Sequence, residues 1–399
     1  MSEDNAPGPL EGIRVIDVTS MISGPAATML LGDQGADVIK IEPPRQGDLV
    51  RSFGSRRPRF PAIYLTTNRS KRSIVLNLKS DGGRELLKKL VASADVFVQN
   101  FRPGTVERMG IGEDVLRRVK PDLIYVSISG FGEKGPYADQ RVYDPVIQAL
   151  SGLASIQAGP MGARPRMVRT IVPDKLTAMT AAQAIAAALF ARERTGMGQH
   201  VRLAMLDAMV SFLWPEGMAR YTFTGENRGT SRPIEVRDLV FETKDGYITV
   251  AVNSNSEWLG LTRALERPEW LDDPRFETAM GRTKHADARL ELTAEVIVTR
   301  TSAEWLERLR AEQVPCAPIH TREDVLHDPQ IAANELIVES EHPLAGPMRQ
   351  TRPAARFDRT PARIRRPAPD LGEHTDEILA EIGLSPAEIQ AARQAGDSA

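Results

Sequence analysis

Apolar positions in the first half of the chain fall into short β-branched runs separated by stretches with helical spacing. IRVIDVT (13–19) leads through SMISGPAATMLLGDQG into VIKIE (38–42), which two prolines end. The spacing predicts a strand, a helix of about ten residues and a second strand. That order is a βαβ unit, whose usual home is a parallel sheet. The pattern returns in KRSIVLNLKSDGGRELLKKLVASADVFVQNF and again in GEDVLRRVKPDLIYVSISGFG, so an α/β layer is predicted. No GxGxxG follows the first strand, and the usual dinucleotide fingerprint is therefore absent. After Asp174 an alanine-rich run predicts a helix of about twenty residues, followed by a glycine-marked turn, a strand and another helix in RTGMGQHVRLAML (194–206).

From about residue 230 the texture changes. RDLVFETKDGYITVAVNS predicts a hairpin turning at Asp245-Gly246, followed by short helices, an amphipathic helix in SAEWLERLRAEQ and an extended piece. This region is a candidate second domain. The stretch 340–373, rich in proline and arginine, is expected to run over the surface in extended form, and a last helix is predicted to start at HTDEILAEIG.

Charge and composition narrow the classes. With 51 basic and 53 acidic residues among 399, the formal net charge is -2, which gives no global attraction to nucleic acid or membrane. Any anion site must be local. The start MSEDNAPGPLEG lacks the basic end and apolar core of a secretory signal, so a cytoplasmic protein is expected. The apolar stretch around 182–191 is too short to cross a bilayer. A single cysteine, Cys316, excludes an intrachain disulfide, and six scattered histidines form no HExxH, so no metal site is expected.

Candidate chemistry then centres on Asp174. At a helix start it would serve as an N-cap, accepting backbone N–H bonds. A carboxylate is also ionised at neutral pH and attacks an acyl carbon without a general base, which suits a chain whose histidines are dispersed. NFRPGTVERMG (100–110) follows a strand at the carboxyl end, where α/β sheets collect ligands. Asn100, Arg102 and Arg108 there, and Arg141 in the next strand exit, are candidates for phosphate or ribose contacts. Lys71, Arg72 and Lys79 are expected to join Arg102 and Arg141 in a positive local patch. The arginines of GARPRMVRT (162–170) are candidates for pairing with the distal carboxylate of a dicarboxylic substrate. Cys316 and the four tryptophans, Trp214, Trp258, Trp270 and Trp305, read as structural, the tryptophans as core residues, and His342 and His374 as loop and helix-start packing.

GPLEGIRVIDVTSMISGPAATMLLGDQGADVIKIEPPRQGD, NRSKRSIVLNLKSDGG, ADVFVQNFRPG, PDLIYVSISGFGEKGPYAD, the Asp174 segment with ARERTGMGQHV, HDP, HPLAGPMR and PAPDLGEHTDEILAEIG occur in one order. Together they resemble the class III coenzyme A transferase family, which also includes α-methylacyl-CoA racemases. The resemblance extends from residue 8 to about 390. It implies that Asp174 is the catalytic aspartate and that Lys79, Asn100, Phe101, Arg102, Arg108 and Arg141 contact coenzyme A. Met21 is implied near the reaction centre and Met205 near the adenine or pantetheine, with Lys40 and Arg51 as weaker candidates. The mechanism implied passes through an aspartyl anhydride and an aspartyl-CoA thioester, with no tightly bound cofactor and acyl-CoA thioesters as substrates.

The fold implied is a large Rossmann-like α/β domain, 1–225, with a smaller α+β domain, 226–325, inserted before a tail, 326–399, that returns to the large domain. An interlocked homodimer is implied as well. Racemases of the family carry a histidine immediately before the aspartate of the segment that here reads RVYDP, where this chain has Tyr143. A tyrosine, whose ordinary pKa is about 10, is a poor base near neutrality, so transfer is expected over racemisation. Affinity for acyl-CoA without chemistry is the remaining alternative, and the presence of Asp174 argues against it. The formyl-CoA:oxalate transferases of the family carry a glycine-rich loop where this chain reads SNSEWLG. Oxalate is therefore a doubtful acceptor, and succinyl-CoA a plausible donor.

Overall fold

The computed structural model describes residues 6–57, 60–159, 163–224 and 237–398. The chain divides into two compact units, one formed by Met1–Pro233 with Glu335–Ala399, the other by Ile234–Asn334. The domain boundary expected at 225/226 lies outside the described residues.

The first unit is built on a parallel sheet of β1 (Arg14–Asp17), β2 (Asp37–Glu42), β5 (Lys71–Val75), β6 (Val96–Gln99), β7 (Ile124–Ser129) and β8 (His200–Ala204). The short strands β3 (Arg56–Arg57) and β4 (Phe60–Pro61) pair separately. In space the order is β5-β2-β1-β6-β7-β8. The chain thus builds outward from β1 to one edge, then returns to the other side of β1 and builds to the opposite edge. This is the doubly wound Rossmann order, and its switch point lies between β1 and β6, where α/β sheets bind ligands.

Alternation along the strands supplies both faces with apolar side chains. Val15, Val38, Val96 and Val126 pack with Leu31 of α1 (Ser23–Asp33) and Ala181, Ile185 and Leu189 of α8 (Val172–Thr195). Ile16, Ile39, Ile74 and Phe97 point the other way, onto the leucines of α3 (Asp81–Ala92) and Leu116 of α5 (Glu113–Val119). Ser80 caps α3 by accepting the Gly83 N–H at 3.0 Å. The alanine-rich run predicted as a helix is α8, and its small side chains let it lie close along α1. It stops at Gly196, whose φ of 70° is a left-handed C-cap. Shorter helices α2 (Ala62–Asn68), α4 (Thr105–Arg108), α6 (Asp144–Leu150), α7 (Leu153–Ile156) and α9 (Met205–Leu213) complete this part.

In the second unit β9 (Val240–Glu242), β10 (Tyr247–Val250) and β11 (Cys316–Pro318) form an antiparallel sheet, with the predicted hairpin turn at Asp245-Gly246. Helices α10 (Asn255–Ala264), α11 (Ala279–Lys284), α12 (Ala286–Ile297), α13 (Ser302–Ala311) and α14 (Pro329–Ala333) accompany it. Trp258, Trp270 and Trp305 form its core with Phe276. Trp214, expected in a core as well, is 42% exposed at the end of α9.

The tail belongs to the first unit. A hairpin of β12 (Ile337–His342) and β13 (Gly346–Thr351) precedes an irregular stretch, which ends at α15 (Thr375–Glu381) and α16 (Pro386–Gln394). Arg72 of β5 binds Asp37 and reaches Glu377 and Glu381 of α15, fastening the tail to the sheet. Its guanidinium is thereby held above the ordinary range: burial works against the charge, but the carboxylates outweigh it. His342 is buried, its Nδ1 accepting from the Leu344 and Ala345 N–H groups. No described helix is long and apolar enough to cross a membrane.

Candidate functional site

A cavity of about 310 Å³ opens at the switch point, lined by Ser20, Met21 and Ser23 from the exit of β1, Asn100 to Pro103 from the exit of β6, and Arg141, Tyr143, Asp174 and Met205. Its size is near the lower end for small-molecule sites, enough for the reacting end of a long substrate. A larger cavity of about 1120 Å³ lies alongside and shares Phe101, Arg102 and Ser129, but Asp174 does not line it. Asp174, the carboxylate singled out in the sequence, therefore lies on the smaller one.

Asp174 is not the N-cap of its helix. The cap position is Ile171, and Val172 and Pro173 form the first helical positions, where a proline loses no hydrogen bond. Asp174 occupies the first turn. Its backbone N–H, which a helix start leaves unpaired, donates to the Asp144 carboxylate at 3.3 Å. Asp144 caps α8 from the neighbouring helix α6, and the Asp174 carboxylate is left free to line the cavity.

That carboxylate is half-buried, and its pKa is pushed up to about 6. Burial is the main cause, the Asp144 charge adds to it, and hydrogen bonding from the Ser23 side chain and backbone works the other way. Ser23 is the first residue of α1, so the start of that helix faces the Asp174 carboxylate, which sits in the first turn of α8. Gly24 lets the β1–α1 loop fold closely against the start of α1: a Cβ there would fall 2.4 Å from the Thr19 side chain. Asp174 is consequently mostly ionised at pH 7 yet more basic than an ordinary aspartate, a combination that favours nucleophilic attack.

Around it the expected residues divide. Met21, Asn100, Phe101, Arg102, Arg141 and Met205 all line the cavity. Lys79 and Arg108 do not; both are exposed, and Arg108 bonds Thr105 Oγ1 at 3.1 Å. The Asn100 amide is engaged, donating to the Ser20 carbonyl at 2.8 Å and accepting the Ser20 N–H at 2.9 Å. It stitches the β1 and β6 exits together across the switch point. Similarly, Gln99 accepts the Phe101 N–H at 2.8 Å and donates to Ser127, whose hydroxyl meets His200 Nε2 at 2.8 Å.

The positive patch expected of Lys71, Arg72 and Lys79 with Arg102 and Arg141 does not form. Lys71 is fully buried, with its ammonium on Asp17 at 2.9 Å, the Pro25 carbonyl and Asn68 Oδ1. Burial opposes the Asp17 anion, but Lys71, Lys40 and the Thr19 and Thr28 hydroxyls outweigh it and hold the carboxyl far below the ordinary range. Lys40 and Arg51, expected near coenzyme A, are likewise paired, with Asp48 at 2.8 Å and Glu42 at 2.7 Å. The guanidinium groups lining the cavity are those of Arg102 and Arg141, whereas Arg164, Arg166 and Arg169 are exposed and do not line it. Sequence reasoning overlooked Ser23 and Asp48 and gave Asp144 no part in placing Asp174. The serine before Gly24-Pro25 at a helix start was the available signal for the first.

A protein-family model described as CoA-transferase family III matches residues 10–375. A human succinyl-CoA:glutarate CoA-transferase is 35% identical over 389 residues, which cover 96% of this chain and 87% of that protein. A succinate–glutarate CoA-transferase of Agrobacterium fabrum is 35% identical, over 95% of this chain and 96% of its own. A Streptomyces coelicolor formyl-CoA:oxalate CoA-transferase is 34% identical over 97% of this chain and 98% of its own. Among solved structures, a CAIB/BAIF family protein from Brucella suis superposes with a TM-score of 0.81 at 32% identity, covering 94% of this chain and all of that one.

Proposed function

Since the chain belongs to CoA-transferase family III and has the enzymatic activity of that class, exchanging coenzyme A between acyl thioesters and carboxylic acids, we propose that Asp174 is its nucleophile. Asp174 attacks the donor thioester carbonyl, forming an aspartyl–acyl anhydride as the C–S bond breaks and CoA leaves as thiolate. The thiolate then attacks the aspartyl carbonyl, releasing the donor acid and leaving an aspartyl-CoA thioester. The acceptor carboxylate attacks that thioester, and the returning thiolate takes the acceptor acyl group and frees Asp174. One thioester is exchanged for another, so no outside energy source is needed. The observation that carries this reading is the half-buried Asp174 carboxylate on the switch-point cavity, basic for an aspartate and still ionised at neutrality. Exclusion of water matters, because either intermediate would otherwise hydrolyse.

Arg102 and Arg141 line that cavity and match in charge both a CoA phosphate and the far carboxylate of a dicarboxylic acyl group. With the succinyl and glutaryl relatives, this supports succinyl-CoA as donor and a dicarboxylic acid of about glutarate's length as acceptor. The SNSEWLG stretch is the capped start of α10, with Ser254 and Glu257 in a capping box. This replaces a glycine run and weighs against oxalate. Tyr143, 66% exposed at the cavity edge, stands in the place where racemases of the family carry a histidine, and it supplies no base near neutrality. The test is mass spectrometry of the protein incubated with a panel of acyl-CoA thioesters, followed by peptide mapping. An aspartyl-CoA adduct on the Asp174 peptide with succinyl-CoA is expected; solvent deuterium entering an α-carbon with no adduct would overturn the reading.

The pH profile follows from the same carboxylate. Adduct formation should fall about tenfold per pH unit below about 6, as Asp174 is protonated. Asp144→Asn removes the charge that raises it while keeping an oxygen for the Asp174 N–H. The midpoint should therefore move to lower pH, and an unmoved midpoint would mean that burial alone sets the value.

A homodimer is also proposed. Met179 and Phe190 of α8, Phe212 of α9 and Trp214 just beyond it, and Val146 and Leu150 of α6 are exposed apolar residues of the first unit, more than isolated surface positions usually supply. A second copy would cover them. If the chains interlock, light scattering should give a dimer mass that persists on dilution to nanomolar concentration, whereas a monomer mass would exclude the assembly.

A further inference from the structure

Beyond Asp17, which accepts the Thr19 N–H at 2.8 Å, three side chains hold the loop between β1 and α1. Lys40 donates to the Thr19 carbonyl at 3.0 Å, Asn100 bonds Ser20 on both sides, and Asp48 Oδ1 accepts the Met21 N–H at 3.0 Å. The last of these contacts acts at an unusual point. Met21 has φ of 70°, a left-handed conformation that a residue with a Cβ adopts only when its surroundings impose it. The backbone reverses there, Ile22 becomes the residue before α1, and Ser23 arrives beside Asp174.

We infer that Asp48 is a positioning residue of the transferase site: by holding the Met21 N–H it fixes the left-handed turn that brings the Ser23 hydroxyl and N–H to the Asp174 carboxylate. This rests on Asp174 being the nucleophile. Asp48 is well built for the task. Its Oδ1 also accepts the Val50 N–H at 3.0 Å, its own N–H donates to Glu42 Oε2 at 2.9 Å, and its Oδ2 receives Lys40 Nζ at 2.8 Å. Lys40 and Asp48 are 0% and 1% exposed, so neither contact is open to exchange with water. One buried pair thus grips the loop at two points, Thr19 through the lysine and Met21 through the aspartate. Nothing in the pair reaches the cavity, so its effect on the reaction must pass through the loop backbone.

A pair kept only for stability would be replaceable by any buried residues of similar volume, because apolar substitutes for a buried ion pair are often neutral or stabilising. A positioning role predicts otherwise, since the acceptor for the Met21 N–H must survive. Two charge-free double variants separate the cases. Lys40→Met with Asp48→Asn retains a side-chain oxygen facing Met21; Lys40→Met with Asp48→Leu does not. In the first, kcat should stay within about threefold of wild type and the acidic midpoint of the pH profile should not move. In the second, kcat should fall about tenfold or more with little change in KM for succinyl-CoA, and the midpoint should rise as Ser23 ceases to oppose protonation of Asp174.

Equal kcat and equal midpoints in two folded double variants would overturn the inference, as would a tenfold loss in the asparagine variant. Should the leucine variant fail to fold, Lys40→Met with Asp48→Ala, which also lacks an acceptor for the Met21 N–H, takes its place under the same limits. Peptide mapping of the wild type keeps the two readings apart. With no adduct on the Asp174 peptide the nucleophile itself is wrong; with an adduct present and no difference between the variants, only the role of Asp48 is.

Discussion

Asp174→Asn should lower acyl transfer by at least about 10⁴-fold, as expected when a covalent nucleophile is removed, and at the same time make the protein more stable at pH 7. The two effects have one source. The folded-state pKa of about 6 lies above the ordinary 3.8, so between these values the folded chain holds a proton that the unfolded chain has released. Stability therefore falls as pH rises through this window, and above it the ionised carboxylate carries the full penalty. At about 1.4 kcal/mol per pKa unit, the shift corresponds to a penalty on the order of 2 kcal/mol once partial solvent access is allowed for. Asparagine keeps the shape and loses the charge. Thermal melts should place the variant above the wild type at pH 7, with the gap closing below about pH 4, where both side chains are neutral. A variant that is inactive and no more stable at pH 7 would mean that the carboxylate sits in a wetter place than the cavity geometry implies. A variant that still transfers CoA at a substantial rate would remove Asp174 from the chemistry altogether.

The parallel sheet was legible because its strands, buried on both faces, read as β-branched runs and its helices as spaced leucines and alanines. The hairpin at Asp245-Gly246 carried a local turn signal and was equally readable. Asp174 was found as a carboxylate before a long helix, but its part in that helix was misread. Pro173 and Asp174 suggested a cap, whereas the cap comes from Asp144, thirty residues earlier in the chain. Local patterns do not show partners supplied by a different element of the fold. The same limit explains the lysines: in KRSIVLNLK the first lysine looks like a solvated residue at a strand end, yet Lys71 meets Asp17 from a strand two places away in the sheet. Charge in sequence says little about exposure when the counter-ion is 54 residues distant. Trp214 failed for the opposite reason. Its helical spacing marks a face, but spacing does not say whether that face meets the chain's own core.

Lys71→Met should destabilise the protein by about 3–5 kcal/mol, more than most single substitutions, because it strands the Asp17 carboxylate in the centre of the sheet. Asp17 and Lys71 are both 0% exposed, and no bulk water is available to replace the lost ammonium. What remains around Asp17 is the Thr19 N–H at 2.8 Å, the Thr19 hydroxyl at 2.5 Å and the Thr28 hydroxyl at 2.7 Å, with Lys40 bearing on it electrostatically. These donors satisfy the oxygens without neutralising them. The methionine variant also frees Asn68 Oδ1 and the Pro25 carbonyl, each of which loses a charged donor. Removing both charges tests the interpretation, since Asp17→Asn with Lys71→Met keeps an oxygen for the Thr19 N–H and leaves no isolated ion. That double variant should recover most of the stability lost by the single one, as measured by urea unfolding. The pair then acts less as a source of stability than as a constraint on arrangement. It ties β1 to β5 across β2, at the base of the loop that leads to Met21 and Ser23, and an apolar pair in its place would fill the space without fixing where that loop begins. If the single variant loses under about 1 kcal/mol, Lys40 must be able to shift toward Asp17 and serve as its counter-ion, and the Thr19 carbonyl would lose its donor in exchange.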